Sequence, residues 1–304
     1  MTGVVRGAAI VLFVMLAAAP VAAQLYGNAY LLALATRAAI LALAAVSLQG
    51  VVGLAGLPSL GHAAFLGIGA YVLLILATAG YGEAALSLPA AMLAAAAFAW
   101  PTGWLALRTR GVTFLMITLA FGQMAYFVAE SLAAYGGDDG MPLDPAPRLF
   151  GTDLLGRATV FHALVLVLLA LAVLTAHGVG GSRYGRVLLA ARASSERAAA
   201  FGFNVARVRL LAYVIGGAIG GLAGWLLAIA NGFVSPALLD WRVAGELLVM
   251  VILGGVALPE GAAVGAVLLV VAEEALSVAT EHGRIAIGAA LLGVALLRRA
   301  RQAA

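Results

Sequence analysis

The side chains that could do chemistry in this 304-residue chain are few, and their types exclude most reactions. There is no cysteine, which removes thiol nucleophiles, disulfides, Cys-ligated zinc and iron–sulfur clusters together. The four histidines, His62, His162, His177 and His282, are too scattered for a metal-ligand pattern such as H-E-x-x-H. All 17 basic residues are arginine. A phosphate-cradling G-x-x-x-x-G-K-[ST] loop needs a lysine to reach the β- and γ-phosphates, so any ATP must be bound by a partner chain. No nucleophile and base stand at a known spacing, which argues against an enzyme and leaves no cofactor or metal expected in this chain. What remains is a set of ionisable and polar residues set into apolar sequence: Arg37, Ser59, His62, Glu246, Glu273 and Glu274. Such groups suit the recognition and passage of a solute, or proton or sodium coupling.

The elements that must position them are membrane helices. The chain is 64% hydrophobic and 10% charged, with a mean hydropathy of +1.11, whereas a soluble domain carries about 25% charged residues. Disorder, coiled coil and collagen each need a polarity or a period absent here. The net charge of +4 and pI of 9.8 do not point to nucleic acid, because the arginines fall in short loops between apolar runs and not on one solvated face. Since roughly 20 apolar residues cross the hydrocarbon core, ten spans are expected, near 7–26, 29–48, 61–80, 84–107, 111–130, 158–179, 209–230, 243–258, 262–278 and 284–298. The runs are continuously apolar, which excludes a β-barrel. The expected fold is therefore all-α, a polytopic bundle of about ten transmembrane helices forming one domain over residues 1–304. The first run, with Arg6 ahead of it and Val21-Ala22-Ala23 after it, also fits a signal peptide; a retained span is the preferred reading. Arg6, Arg108, Arg110, the 180–208 loop and Arg298, Arg299 and Arg301 assign their loops and both termini to the cytoplasm; the acidic 131–157 loop belongs outside. On that topology Arg37 and the Glu273/Glu274 pair share the outer half, where they can pair.

Three insertions interrupt the apolar background. Residues 50–62 carry four glycines and Pro58, which oppose an unbroken helix, at about 1 kcal/mol per glycine and about 3 for an interior proline. Two readings fit: a broken helix lining a wet path, with Ser59 and His62 facing it, or a tight turn with glycine packing and hydrogen bonds inside the bundle. Glu246 begins a helix, where the helix dipole stabilises a carboxylate without any function. Residues 182–204 read as an alanine-rich helix over 186–201, stopped by Gly202 and Asn204. It is too short and too charged to span, and suits either anionic lipid headgroups or a cytoplasmic partner.

Five stretches then carry a resemblance. Gly56 to Tyr71 is similar to an S-L-G-H-A-A-F-x-G-I-G-A-Y segment. Arg110-Gly111-Val112-Thr113-Phe114 with Thr118-Leu119-Ala120-Phe121-Gly122-Gln123 is similar to R-G-V-Y-F…T-L-A-F-G-[EQ]. Gly136-Gly137-Asp138-Asp139-Gly140 matches an external T-G-G-x-x-G loop. Residues 182–204 resemble a Y-G-R…R-E-N-E…G-x-[ND] coupling loop, and Ser235-Pro236 with Gly245 to Gly255 resembles S-P…S-G-E-x-L-x-M-V-I-L-G-G. The family so resembled is the LivM-type permease subunit of branched-chain amino acid ABC importers, with its elements in order from about residue 26 to 298. The resemblance implies that 182–204 docks onto an ATPase subunit through Arg192, Glu196 and Gly202. It also implies a second permease chain, two cytoplasmic ATPase subunits that bind the ATP, a periplasmic binding protein and a place in the bacterial inner membrane. Related permeases carry urea or short amides. Two departures stand out: Arg192-Ala193-Ser194-Ser195-Glu196 lacks one carboxylate of the R-E-N-E run, and Ala257-Leu258-Pro259-Glu260-Gly261-Ala262 replaces G-T-L-x-G-P. A self-sufficient secondary transporter using Glu246, Glu273 or Glu274 is the competing reading.

Overall fold

Two helices of small and branched apolar residues hold the centre of the molecule, of which a computed structural model describes residues 2–144, 147–149, 151–279 and 288. The chain runs through α1 (Thr2–Leu25), α2 (Ala29–Gln49), α3 (His62–Thr78), α4 (Ala84–Ala106), α5 (Val112–Ser131), α6 (Ala158–Gly181), α7 (Arg183–Ala193), α8 (Ser195–Ala200), α9 (Val205–Asn231), α10 (Trp241–Gly254) and α11 (Pro259–Ala279). The central pair is α2 and α9. Every residue from Ala38 to Gln49 is buried, because α2 is wrapped by α1, α6, α9, α10 and α11. Helix α9 packs against α2, α3 and α4 through Gly216, Gly217, Gly220, Gly221 and Gly224. Cβ atoms added at Gly217 and Gly221 would lie 2.8 and 2.6 Å from the Ala99 and Ala95 methyls of α4. Between lipid and core there is little hydrophobic contrast, so close approach of this kind is what holds membrane helices together. Trp225, fully buried at the far end of α9, donates its Nε1–H to Ser87 Oγ at 3.0 Å.

The architecture is an all-α membrane bundle. Among the described residues six helices are long and apolar enough to cross a membrane, or seven if a bent pair is counted as one span, so ten crossings are not confirmed. The run expected over 61–80 forms only 17 residues of α3, about 25 Å against a hydrocarbon core of about 30 Å. The runs at 243–258 and 262–278 become α10 and α11, bent by 117° at the break between them. Gly255 adopts φ +100 there and Pro259 starts the next helix, which ends one hydrogen-bond ladder and begins another. Apart from residue 288, the run at 284–298 lies outside the described residues, as do His282 and the arginine tail.

The acidic 131–157 segment is tied down at one end of the bundle. Met141 and Pro142 pair antiparallel with Val234 and Phe233, and Gly136, Gly137 and Gly140 all take positive φ to make the turn into that ribbon. Farther along, the Ala84 N–H donates to the Arg148 carbonyl and the Arg148 N–H to the Gly82 carbonyl, each at 2.7 Å.

Candidate functional site

The helix break is built from the end of α2. Its ladder widens to a π-turn over Gly50–Leu54, a form that recurs at functional positions, and the chain then leaves the helix until α3. Gly56 sits at φ +71. The freed N–H groups find partners: Leu57 donates to the Val51 carbonyl at 3.1 Å, Leu60 to Thr118 Oγ1 of α5 at 3.2 Å, and Gly61 to Ser59 Oγ at 3.2 Å. The stripe Phe114, Thr118 and Gly122 is the buried face of α5, and a Cβ at Gly61 would lie 2.7 Å from the Thr118 carbonyl oxygen.

Ser59 and His62 are both wholly buried here. Ser47 Oγ donates to the Ala44 carbonyl at 2.7 Å and stands 2.8 Å from His62 Nε2. Its one proton is thus used, and this network assigns the imidazole proton to Nε2. His62 Nδ1 is then an acceptor with no partner among the described residues. The ring edge meets Phe65 at 5.1 Å between centroids, and the missing side chains of Gly216 and Gly220 leave room for it. Phe65 in turn packs edge-on against Phe98 and Tyr213, whose hydroxyl interacts with Ser59 and Thr102.

The second break touches the first. Gln49, also wholly buried, donates Nε2–H to the Val256 carbonyl between α10 and α11 at 3.1 Å. A Cβ on Gly53 would collide with that same carbonyl and with the Gln49 amide. Around this break α10 and α11 close on each other through Gly254, Gly261 and Gly265. Glu246 lies on α10 with its side chain exposed.

At the arginine-rich end, the segment expected as one helix over 186–201 is two. Ser194 is extended, at φ −158 and ψ 108, and its Oγ accepts from the Arg197 N–H; a serine hydroxyl that caps a new helix competes with continuation of the old one. Helix α7 is held by its buried face. Leu188 enters the cluster formed by Val51, Ala55, Leu57 and Phe65, the Tyr184 hydroxyl donates to the Val208 carbonyl at 2.7 Å, and Arg209 of α9 donates to the Ala191 carbonyl at 2.8 Å. Burial pushes the Tyr184 phenol up to about 12. Arg192, an exposed residue at the edge of this face, reaches inward from it: its guanidinium donates to the Gly53 carbonyl and its stem crosses Gly56. Glu196 and Gly202 do not share that direction. They lie on the exposed side with Phe201, 82% exposed, and Phe203, 46% exposed, and Gly202 holds φ +84.

The structure therefore brings Ser59, His62 and Arg192 to one break, and leaves Glu196, Gly202 and Glu246 on exposed surfaces. Near the start of α2, Glu274 bonds the Tyr30 hydroxyl, and Arg37 acts on the same tyrosine. A cavity of about 280 Å³ there is lined by Tyr30, Thr36, Arg37 and Asn231. Other polar contacts had no local signal. His162, buried on α6, bonds Thr36 Oγ1 at 2.9 Å and the Leu16 carbonyl at 2.9 Å, and His177 pairs with Glu260; their partners lie up to 146 residues away. No group of three or more metal-ligand side chains exists among the described residues.

Residues 30–297 match the family model described as the branched-chain amino acid transport system permease component. The high-affinity branched-chain amino acid transport system permease protein LivM of Salmonella typhimurium is 29% identical over 279 residues, covering 84% of this chain and 65% of that protein. The corresponding LivH of Escherichia coli is 26% identical over 280 residues, 84% of this chain and 88% of that protein. A probable branched-chain amino acid transport permease protein LivM of Methanocaldococcus jannaschii is 32% identical over 138 residues, 43% of this chain and 39% of that protein. The chain thus spans 65% of the length of the Salmonella LivM. No solved structure matches.

Proposed function

The chain belongs to the branched-chain amino acid transport system permease family, and from that membership we propose that it is the membrane permease subunit of an ABC importer. Its cargo in this reading is a branched-chain or similarly apolar amino acid. It works beside a second permease chain, two cytoplasmic ATPase subunits and a periplasmic binding protein, in the inner membrane with both termini cytoplasmic. ATP is bound by the partners. The observation that carries the reading is the form of α7 and α8: one face is locked into the bundle against a helix break, while the other offers Glu196, Phe201, Gly202 and Phe203 outward. A partner that grips the outer face can bias two arrangements of the break, and its differential affinity for them, altered by ATP, supplies the driving force. Ser59, His62 and Glu246 are assigned to the path, His62 through its unpartnered Nδ1. Glu196 and Gly202 are assigned to partner contact, and Arg192 to coupling.

The test is co-purification of the tagged chain in mild detergent with identification of its partners. It is followed by ATP hydrolysis in proteoliposomes containing the binding protein and labelled leucine, isoleucine or valine. An ATPase pair and a second permease, with hydrolysis stimulated by one of these amino acids, is the expected result. Absence of any ATPase from the complex overturns it.

A further inference from the structure

The Gly53 carbonyl is an orphan of the fold. In an α-helix its partner would be the N–H of Leu57, and in a π-helix that of residue 58. The Leu57 N–H is taken by the Val51 carbonyl, and residue 58 is a proline with no N–H to give. Gly53 is buried, so its carbonyl needs a donor from elsewhere, and Arg192 of α7 supplies it. The same glycine is where the two breaks meet, against the Val256 carbonyl that Gln49 holds.

We propose that Arg192 is a positioning residue that ties α7 to a joint formed by both helix breaks, so that α7, residues 50–57 and residues 255–258 move as one body. The proposal rests on the reading of α7 and α8 as the coupling element, and changes what Arg192 does within it: it acts inward on the break, not outward on the ATPase. The other polar side-chain attachments of α7 go elsewhere, Tyr184 to Val208 and Arg209 to Ala191 on the α9 side and Arg186 to the Gly181 carbonyl at the end of α6. Leu188 touches the break through apolar contact, which has no direction and lets surfaces slide. A hydrogen bond from a guanidinium is directional and about twice as strong as a neutral one, so it fixes register. The partner-facing residues fall beyond the Ser194 interruption. A load applied to α8 reaches the bundle both through α9, which α8 touches and leads into, and through α7, and on the α7 side Arg192 is the polar route into the break.

Absence of cysteine makes a paired label clean. Leu189→Cys on the exposed side of α7 and Ala257→Cys in the second break, both exposed, are spin-labelled in the purified permease and their separation measured. With Arg192 present the distance distribution is narrow. Arg192→Ala broadens it or adds a second population, and Arg192→Lys, which keeps one shorter donor, falls between. An unchanged distribution in Arg192→Ala overturns the proposal. In the assembled transporter, Arg192→Ala is expected to lower uptake of labelled leucine, isoleucine or valine by about tenfold, inside the usual range of coupling between sites. The ATPase still co-purifies and hydrolyses ATP at its basal rate. Loss of the ATPase from the Arg192→Ala complex assigns the residue to docking and overturns the proposal, as does unchanged uptake. If no ATPase accompanies even the unmodified chain, the transporter reading fails by itself, and the label pair still decides whether the joint exists.

Discussion

Replacing Gly221 with alanine tests whether helix apposition, rather than burial of large side chains, holds this bundle. The added Cβ would lie 2.6 Å from the Ala95 methyl and 2.8 Å from the Ala91 carbonyl oxygen, where ordinary contact begins near 3.4 Å. Neither obstacle can rotate aside: one is a Cβ and the other is backbone. Helix α4 must therefore part from α9 by about 0.6–0.8 Å, in a region packed like a crystal. Such overpacking costs about 1–3 kcal/mol. Alanine also raises helix propensity by about 1 kcal/mol over glycine, which would mask part of the effect. Gly178→Ala supplies the control, since Gly178 lies inside α6 with nothing within 4 Å of its would-be Cβ. The two variants make the same chemical change, so their difference isolates the steric term, and Gly221→Ala should be less stable than Gly178→Ala by about 1–3 kcal/mol. Reversible unfolding of the purified protein in mixed detergent micelles measures it. Equal stability of the two variants would refute the account of α4, α9 and the glycine face.

Ser47→Ala removes the group that accepts from His62 Nε2, and an orphaned buried donor should cost about 1–3 kcal/mol in the same unfolding assay. Glu196→Arg and Gly202→Arg should each lower uptake and amino-acid-stimulated hydrolysis while leaving membrane insertion intact; the second also strains a residue held at φ +84, by about 1–2 kcal/mol. For Tyr184, a folded value raised from 10.0 to about 12 favours the neutral phenol. Its contribution to docking of α7 is complete below pH 10 and lost as pH rises through about 12. A label on Leu189 should therefore gain mobility over that window, and Tyr184→Phe should remove that part of the pH response.

The break at 50–61 was legible because glycine and proline act on the backbone locally, whatever surrounds them. Its π-turn over Gly50–Leu54 was not, since whether a ladder widens to i→i+5 bonds is set by the packing around it and leaves no local residue pattern. The split at Ser194 was hidden by the alanines on either side, which favour one continuous helix; the cap in Ser194-Ser195-Glu196-Arg197 was the overlooked signal. For Arg192 the signal was also present. Tyr184, Leu188, Ala191 and Arg192 recur at i, i+4, i+7 and i+8, one face of a helix, and that face is the one turned to the bundle, with Leu188 and Ala191 buried and the guanidinium of the otherwise exposed Arg192 reaching Gly53. No local pattern could announce the pairing of His162 with Thr36 or of Gln49 with Val256, 126 and 207 residues apart. The span count is not confirmed for a different reason. Hydropathy reports that α10 and α11 are apolar but not that Gly255 and Pro259 fold them back at 117°.

In a chain this apolar, burial alone cannot say which polar residue serves transport, because lipid and protein interior are equally poor solvents for it. The backbone supplies a sharper criterion. Thr118 accepts from the Leu60 N–H, Ser59 from Gly61, Gln49 serves the Val256 carbonyl and Arg192 the Gly53 carbonyl. Each stands where a helical ladder has been interrupted and makes good the missing bond. The hydroxyls and the guanidinium are committed to the breaks themselves, and a solute could enlist them only by taking over the bond they already make, whereas Gln49 keeps an Oε1 with no partner among the described residues. His62 differs: Ser47 satisfies one ring nitrogen, and the other faces no protein partner among the described residues. Of the polar groups gathered at the first break, the imidazole Nδ1 and the Gln49 Oε1 are acceptors with no partner among the described residues, and these have capacity left for a ligand.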